Sequence, residues 1–361
     1  MNKKQLKKAI KNTFVYRLLT SPSKEEYNRM EKANVLLNTP ALKRKAYLYW
    51  VLLGIPYYDF VLCRCRTKSF SEASRIVTYR TQKSFYFATG DLKGRMLSGN
   101  KYASYKRFEP FYQREVVCYL PSENLKENFI EAMKIHNCLP EIDKCREELW
   151  YFAQRHDAFV VKPFSNKWGI GVKVVKGINT PEKLDQLLSE YSEGFVAEEL
   201  IAQSESMAVF HPNSVNTVRV NTVVYDDGSV EVKWPCFRMG AGGSFVDNAG
   251  SGGIVAAVDA TTGKLIAASD EKQAVFTKHP DTGVELIGAT IPRWDELCEC
   301  VKKMALLFPE CRFVGWDMAL TDNGWVLVEL NTLPMNGWQI ASGIGVKKEF
   351  NEMKRRFGRF V

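Results

Sequence analysis

The chain has 361 residues, 45% of them hydrophobic and 25% charged, and carries a formal net charge of +9. That is the composition of a soluble globular protein with material for about two or three domains. Nine cysteines, with C-x-C pairs at Cys63/Cys65 and Cys298/Cys300, show no C-x-x-C repeat at zinc spacing, and no signal peptide precedes the chain. This combination points to reduced thiols in a cytoplasmic protein.

The first stretch, "MNKKQLKKAIKNTFVYRLL", carries only basic charges, and Leu6, Ile10, Phe14 and Leu18 recur every four residues on one helical face. Such a helix can dock on its own domain or lie on an anionic membrane at the inner surface. "EMKRRFGRFV" at the other end is similarly basic. Neither end has the aromatic interleaving of a nucleic-acid platform, so nucleic acid is not expected as a partner. "YLYWVLLGIPYYDFVLC" (47–63) contains Gly54, Pro56 and Asp59 and falls short of the ~20 clean apolar residues of a membrane span. It reads as two buried pieces joined by a turn at "GIP".

Residues 1–90 read as a mainly helical region, and 91–157 as a segment with short aromatic runs, a strand at "REVVCYL" and helices. In 122–156 Ser122 is the expected N-cap and Pro140 a break. From 158 strands with tight turns take over: "AFVVKPF", "GVKVVKG", "FVAEELI" and "NTVRVNTVVYDDGSVEVKW". A helix at "PRWDELCECVKKMALLF", a hairpin and a short helix follow. This alternation predicts an α+β protein rather than a regular βαβ series.

Two stretches carry chemistry. In "FVVKPFSNKWGIGVKVV" an apolar strand ends in Lys162, and Gly169 and Gly171 punctuate the loop to a second apolar strand. A lysine aimed past a strand end beside a glycine loop suits phosphate, because backbone N–H groups can then approach closely. A plain surface lysine is the alternative. In "FVGWDMALTDNGWVLVELNTLP" two strands flank "DNG". A three-residue loop, Asp322-Asn323-Gly324, sets Thr321 opposite Trp325 and Asp317 opposite Glu329, with Asn331 on the same face. Trp316, Met318, Leu320, Val326, Val328 and Leu330 form the core face. Like charges directly opposite destabilise a sheet. A divalent cation would offset them, and Mg²⁺ takes one or two carboxylates and fills its octahedron with phosphate and water. A solvated polar face is the other reading. Arg238, Asp247 and Asn248 border the glycine-rich "GAGGSFVDNAGSGG", where a loop either folds tightly or meets a substrate. His211 in "HPNS" reads as a turn or cap residue. No GxxxxGK[ST] loop is present.

In their order, "VKPFSNKWGIGV", "EELIAQ", "HPNSVNTVRVNTV", "GAGGSFVDNAGSGGIVAAVD", "GWDMAL" and "VELNTLPMNGWQ" resemble the ATP-grasp superfamily, and within it the sugar-transfer-associated branch. The resemblance covers roughly 155–340; "NKYASYKRFEPFYQREV" matches more loosely. Leu330 departs from the glycine that the branch often has between its Glu and Asn. The resemblance implies an ATP-grasp fold, two α+β subdomains clasping ATP, behind a mainly helical N-terminal region. The expected division is 1–90 helical, 91–157 pre-ATP-grasp, 158–204 lid, and 205–361 the C-terminal subdomain with the metal site.

Residue by residue, the resemblance implies that Lys162 meets the α- and β-phosphates and that Lys101 reaches the nucleotide from the preceding segment. Glu198 and Glu199 would mark the hinge at the adenine, and Glu205 would bind ribose. Asp317, Glu329 and Asn331 would hold Mg²⁺, with Mn²⁺ as an alternative. Arg219 would neutralise the γ-phosphate or a substrate carboxylate. The expected activity is ATP-dependent joining of a carboxylate, on a small molecule or a sugar-linked one, to an amine through an acylphosphate, in a polysaccharide or glycoconjugate setting. A kinase on the same scaffold and a non-catalytic nucleotide-binding module are the alternatives.

Overall fold

The computed structural model of the protein describes residues 39–121, 127–164, 171–191, 193–243, 247, 252–331 and 337–357. The amphipathic pattern of residues 1–20, Ser122, Gly169, Asn248 and the last residues of the basic C-terminus lie outside the described residues.

Local sequence accounts for the helices that open the described chain. Helix α1 (Pro40–Leu53) starts on Thr39, whose hydroxyl accepts from Leu42 N–H, and stops at Gly54, which takes the left-handed φ of 69°. Pro56 then leads into α2 (Tyr57–Leu62), so the turn expected at "GIP" is present. A capping box of Ser69 and Glu72 opens α3 (Phe70–Ser74), and Thr78 caps α4 (Tyr79–Thr89). Asp91 caps α5 (Leu92–Ser98), and Asn100 caps α6 (Lys101–Tyr112), which kinks at Phe108 ahead of Pro110. Among the described residues no helix is long and apolar enough to cross a membrane.

A four-stranded antiparallel sheet has the order β1 (Val116–Tyr119), β4 (Phe195–Glu199), β2 (Ala158–Pro163), β3 (Lys173–Lys176). It therefore draws β1 from outside the 158–204 stretch. Helices α7 (Glu127–Ile135) and α8 (Ile142–Arg155) intervene between β1 and β2, and α9 (Pro181–Ser189) between β3 and β4. One face of the sheet, with Phe159, Val161, Phe195 and Ala197, packs against Leu149 and Phe152 of α8 and Leu184 and Leu187 of α9. On the other, Val116 and Val196 join the main core, and Lys162 and Glu198 share that face. Strand β3 differs from expectation: Lys173, Val174 and Lys176 are exposed, so "VKVV" is an edge strand rather than a core strand.

A six-stranded antiparallel sheet has the order β10 (Gly324–Asn331), β9 (Phe313–Thr321), β5 (Thr217–Val224), β6 (Val230–Met239), β7 (Ile254–Val258), β8 (Leu265–Ser269). The short α10 (Glu205–Ala208) precedes β5, and α11 (Trp294–Leu306) lies between β8 and β9. Val218, Val220, Phe237, Met318 and Trp316 bury one face in the core with Leu297, Val301 and Met304 of α11 and Phe108 of α6.

Helices α12 (Gly337–Ser342) and α13 (Lys347–Arg356) close the chain. Gln339 ties α12 to the N-terminal helices. Its Oε1 accepts from Val77 N–H (2.9 Å) and Val346 N–H (3.3 Å), and its Nε2 donates to Val77 O (3.1 Å). Gln339→Ala would strand three buried backbone groups, each costing about 1–3 kcal/mol unpaired. We expect it to lower unfolding free energy by about 3 kcal/mol in urea denaturation; a loss within experimental error would show that these bonds do not hold the two ends together.

Candidate functional site

The site lies where the two sheets meet, and the β9–β10 hairpin supplies its acidic side. Its register departs from expectation twice. Thr321 pairs with Gly324, so the connection has two residues, one fewer than expected, and a bulge falls between Leu327 and Glu329. The two changes offset each other, and Asp317 pairs with Glu329 as expected. The core face is corrected accordingly. Trp325, Leu327 and Leu330 join Trp316, Met318 and Leu320, while Val326 pairs with Ala319 on the other face and Val328 is the bulge residue.

Arg219 on β5 pairs directly with Asp317, and its Nε and Nη2 donate to the two carboxylate oxygens, each at 2.6 Å. Arg238 Nη2 approaches Asp317 Oδ2 at 3.1 Å, and Asn331 Nδ2 donates to the same oxygen at 3.3 Å. The Asp317 side chain is 2% exposed. Burial alone would raise its pKa, but the Arg219 and Arg238 guanidiniums overcome that and hold it below the usual carboxylate range. The charge offset expected of a cation is thus already supplied at Asp317 by two arginines. Arg238 also donates to Thr217 Oγ1 (2.9 Å) and lies 3.4 Å from Asp247, which accepts from Thr217. Asp247 and Arg238 therefore sit beside Arg219 and Asp317.

The basic side comes from the four-stranded sheet and α6. Lys162 Nζ contacts Glu198 Oε2 at 2.8 Å. Arg114, which the sequence reading missed, donates to that same oxygen from Nη2 (2.6 Å) and Nε (3.1 Å). Arg114 Nη1 also donates to Leu327 O at the bulge (2.6 Å), and its guanidinium stacks on the Tyr112 ring. The side chains of Arg114 and Glu198 are 4% and 5% exposed, that of Lys162 16%. Burial would raise the Glu198 pKa, but Lys162 and Arg114 draw it down to about 2. Burial lowers the Lys162 pKa and Arg114 adds to that, with Glu198 opposing.

One pocket joins the two sides. Lys162 and Glu198 line it from the four-stranded sheet, Val328 and Glu329 from the hairpin, and Lys101 and Ser104 from the first turns of α6. Glu329 is exposed. Glu199 turns elsewhere, accepting from Glu115 N–H. Glu205 opens α10 in an exposed position and does not line the pocket. The Glu198 carboxylate, expected at an adenine, is engaged by the two cations. Gly171 takes a φ of 77° after the loop, and its carbonyl accepts from Tyr191. His211 is buried against Ser214 Oγ (2.8 Å), and a Cβ on Gly240 would lie 2.7 Å from its Nδ1. It anchors the root of the glycine-rich loop, in line with a turn residue.

Asp317, Glu329 and the Asn331 amide are hard oxygen donors on adjacent strands, which suits Mg²⁺. Among the described residues no three His, Cys, Asp or Glu side chains group to hold a metal.

The family profile described as sugar-transfer-associated ATP-grasp matches residues 130–355. No curated protein matches the chain. Among solved structures, D-alanine–D-alanine ligase from Bacillus anthracis is 16% identical, with a TM-score of 0.39 over 78% of this chain and 75% of that one. The enzyme of the same name from Helicobacter pylori is 14% identical (TM-score 0.44; 77% and 67%). The ATP-grasp ligase PsnB, solved with a minimal precursor, Mg and ADP, is 13% identical (TM-score 0.41; 82% and 72%).

The depressed Glu198 pKa has a pH consequence. Its stabilisation is fully present above the unfolded-state value near 4.5 and is lost as pH falls towards about 2. Glu198→Gln should therefore lose less stability than wild type between pH 4.5 and 2 in urea titrations, and equal slopes would contradict the ion-pair assignment.

Proposed function

Because the chain belongs to the sugar-transfer-associated ATP-grasp family, we propose that it is an ATP- and Mg²⁺-dependent carboxylate–amine ligase. The observation that carries this reading is the pocket that Lys101, Lys162 and Glu329 line together. Two cations there face an exposed carboxylate on the hairpin that also bears Asp317 and Asn331, a layout suited to a triphosphate and its metal. In this reading the four-stranded sheet β1–β4 forms the lid and the six-stranded sheet the base.

Asp317, Glu329 and Asn331 would hold Mg²⁺, which supplies neutralisation of the phosphate charge. Lys162 and Lys101 bind and orient the nucleotide phosphates. Arg219 takes up charge on the transferred phosphoryl group, and Arg238 with Asp247 orients the acid. The substrate carboxylate attacks the γ-phosphorus, the β–γ bridging bond breaks, and ADP leaves an acylphosphate. The amine then attacks the acyl carbon, phosphate leaves, and the amine loses a proton. The chain contributes positioning and electrostatic stabilisation, with no covalent protein nucleophile. A sugar-linked acid as substrate rests on the family's description.

Glu329→Gln tests this reading, because the residue is exposed. We expect stability within about 0.5 kcal/mol of wild type and a Mg²⁺-dependent ATP affinity at least about tenfold weaker by calorimetry. Unchanged affinity would remove Glu329 from the metal set, and no Mg²⁺–ATP binding by wild type would end the enzyme assignment. Phosphate release that requires both acid and amine separates a ligase from a kinase.

A further inference from the structure

Two cations, Arg114 buried and Lys162 partly buried, share one oxygen of Glu198, and they are held very differently. Lys162 contacts Glu198 and, among the described residues, no other hydrogen-bond or ion partner. Arg114 is fixed on every side, by Glu198, by the Leu327 and Tyr112 carbonyls and by the Tyr112 ring. Of these two cations Lys162 lines the pocket, together with Glu198, and Arg114 does not. A buried carboxylate that loses its only cation carries a large penalty, whereas one that keeps a charged partner does not.

We propose that Arg114 is a positioning residue, the permanent counter-ion of Glu198 that frees Lys162 to exchange its carboxylate for a nucleotide phosphate. Without Arg114, Lys162 would be the only cation on Glu198, and a phosphate would have to strip a buried acid of its charge partner. With Arg114 in place, Glu198 stays neutralised while Lys162 moves. Arg114 also bonds the Leu327 carbonyl two residues before Glu329, so the anchor of the lysine and the acidic hairpin are held on one side chain. This inference rests on the nucleotide reading above.

The test is Mg²⁺–ATP calorimetry on four full-length forms, each checked for folding by thermal unfolding. Arg114→Gln is expected to weaken binding about tenfold or more. Arg114→Lys, which keeps the charge and loses the Nη1 contacts to the Tyr112 and Leu327 carbonyls, recovers most of that loss. Adding Glu198→Gln to Arg114→Gln also restores affinity, because Lys162 then has no acid to hold it. A role confined to bridging the carbonyls predicts the opposite. Arg114→Lys would be as weak as Arg114→Gln, and Glu198→Gln would rescue nothing; either result overturns the proposal, as does wild-type affinity in Arg114→Gln. If Arg114→Gln does not fold, the double variant, which removes both charges, carries the test. It binds within about threefold of wild type if the counter-ion account holds, and more weakly if it does not. Failure of wild type itself to bind Mg²⁺–ATP would instead remove the nucleotide reading, and the inference with it.

Discussion

The pocket depends on a carboxylate at the seam between the two sheets. Glu198 stands on the last turns of the ladder of the smaller sheet, accepts from Lys162 on the neighbouring strand, and accepts from Arg114, whose other nitrogen reaches the edge strand of the larger sheet. Burying three charges is costly unless their geometry satisfies them. Here the geometry does more than satisfy them. It fixes where a lysine meets the pocket and how far that lysine lies from the acidic hairpin.

The same pattern recurs on the larger sheet, where Asp317 is shared between Arg219 and Arg238. At both places one buried acid is matched with two cations, so each triad carries an excess positive charge. Lys101 at the start of α6 adds to that excess, with Glu329 and Asp247 opposing it. Lys101, Arg114, Lys162, Arg219 and Arg238 thus stand against Glu198, Asp247, Asp317 and Glu329, a small net positive charge, and low exposure strengthens these interactions. The hydrophobic faces make this arrangement affordable. The larger sheet buries apolar residues against helices on both faces, Val218 and Phe237 on one and Val223, Phe313, Val255 and Ala257 on the other, and the smaller sheet's second face carries Val116 and Val196 beside its charged residues.

Much of this was legible in the sequence because period-two alternation separates the faces of a strand. It put Lys162 at a strand end, and Asp317, Glu329 and Asn331 on one face of a hairpin. The hairpin was right in its pairing for an incomplete reason. A bulge cannot be seen in a run such as "WVLVEL", where every residue suits a strand, so the shorter connection and the bulge compensated unseen. Arg114 was missed because its partners are distant in the chain: Glu198 lies 84 residues away and Leu327 lies 213 away. A lone arginine just before a strand, in "QREV", was the only local sign. Strands β7 and β8 were not singled out, although "GIVAAVDATTGKLIAAS" has two apolar runs around a turn. Glu198 and Glu199 looked equivalent as neighbours, yet alternation sends one to the pocket and the other to the Glu115 backbone.

The most direct measurement is a crystal structure of the protein with Mg²⁺ and a non-hydrolysable ATP analogue. The account predicts phosphates between Lys162 and Glu329, the metal on Asp317, Glu329 and Asn331, and Glu198 still paired with Arg114 after Lys162 has left it. A nucleotide bound elsewhere, or Lys162 still on Glu198 with the hairpin free of metal, would contradict it.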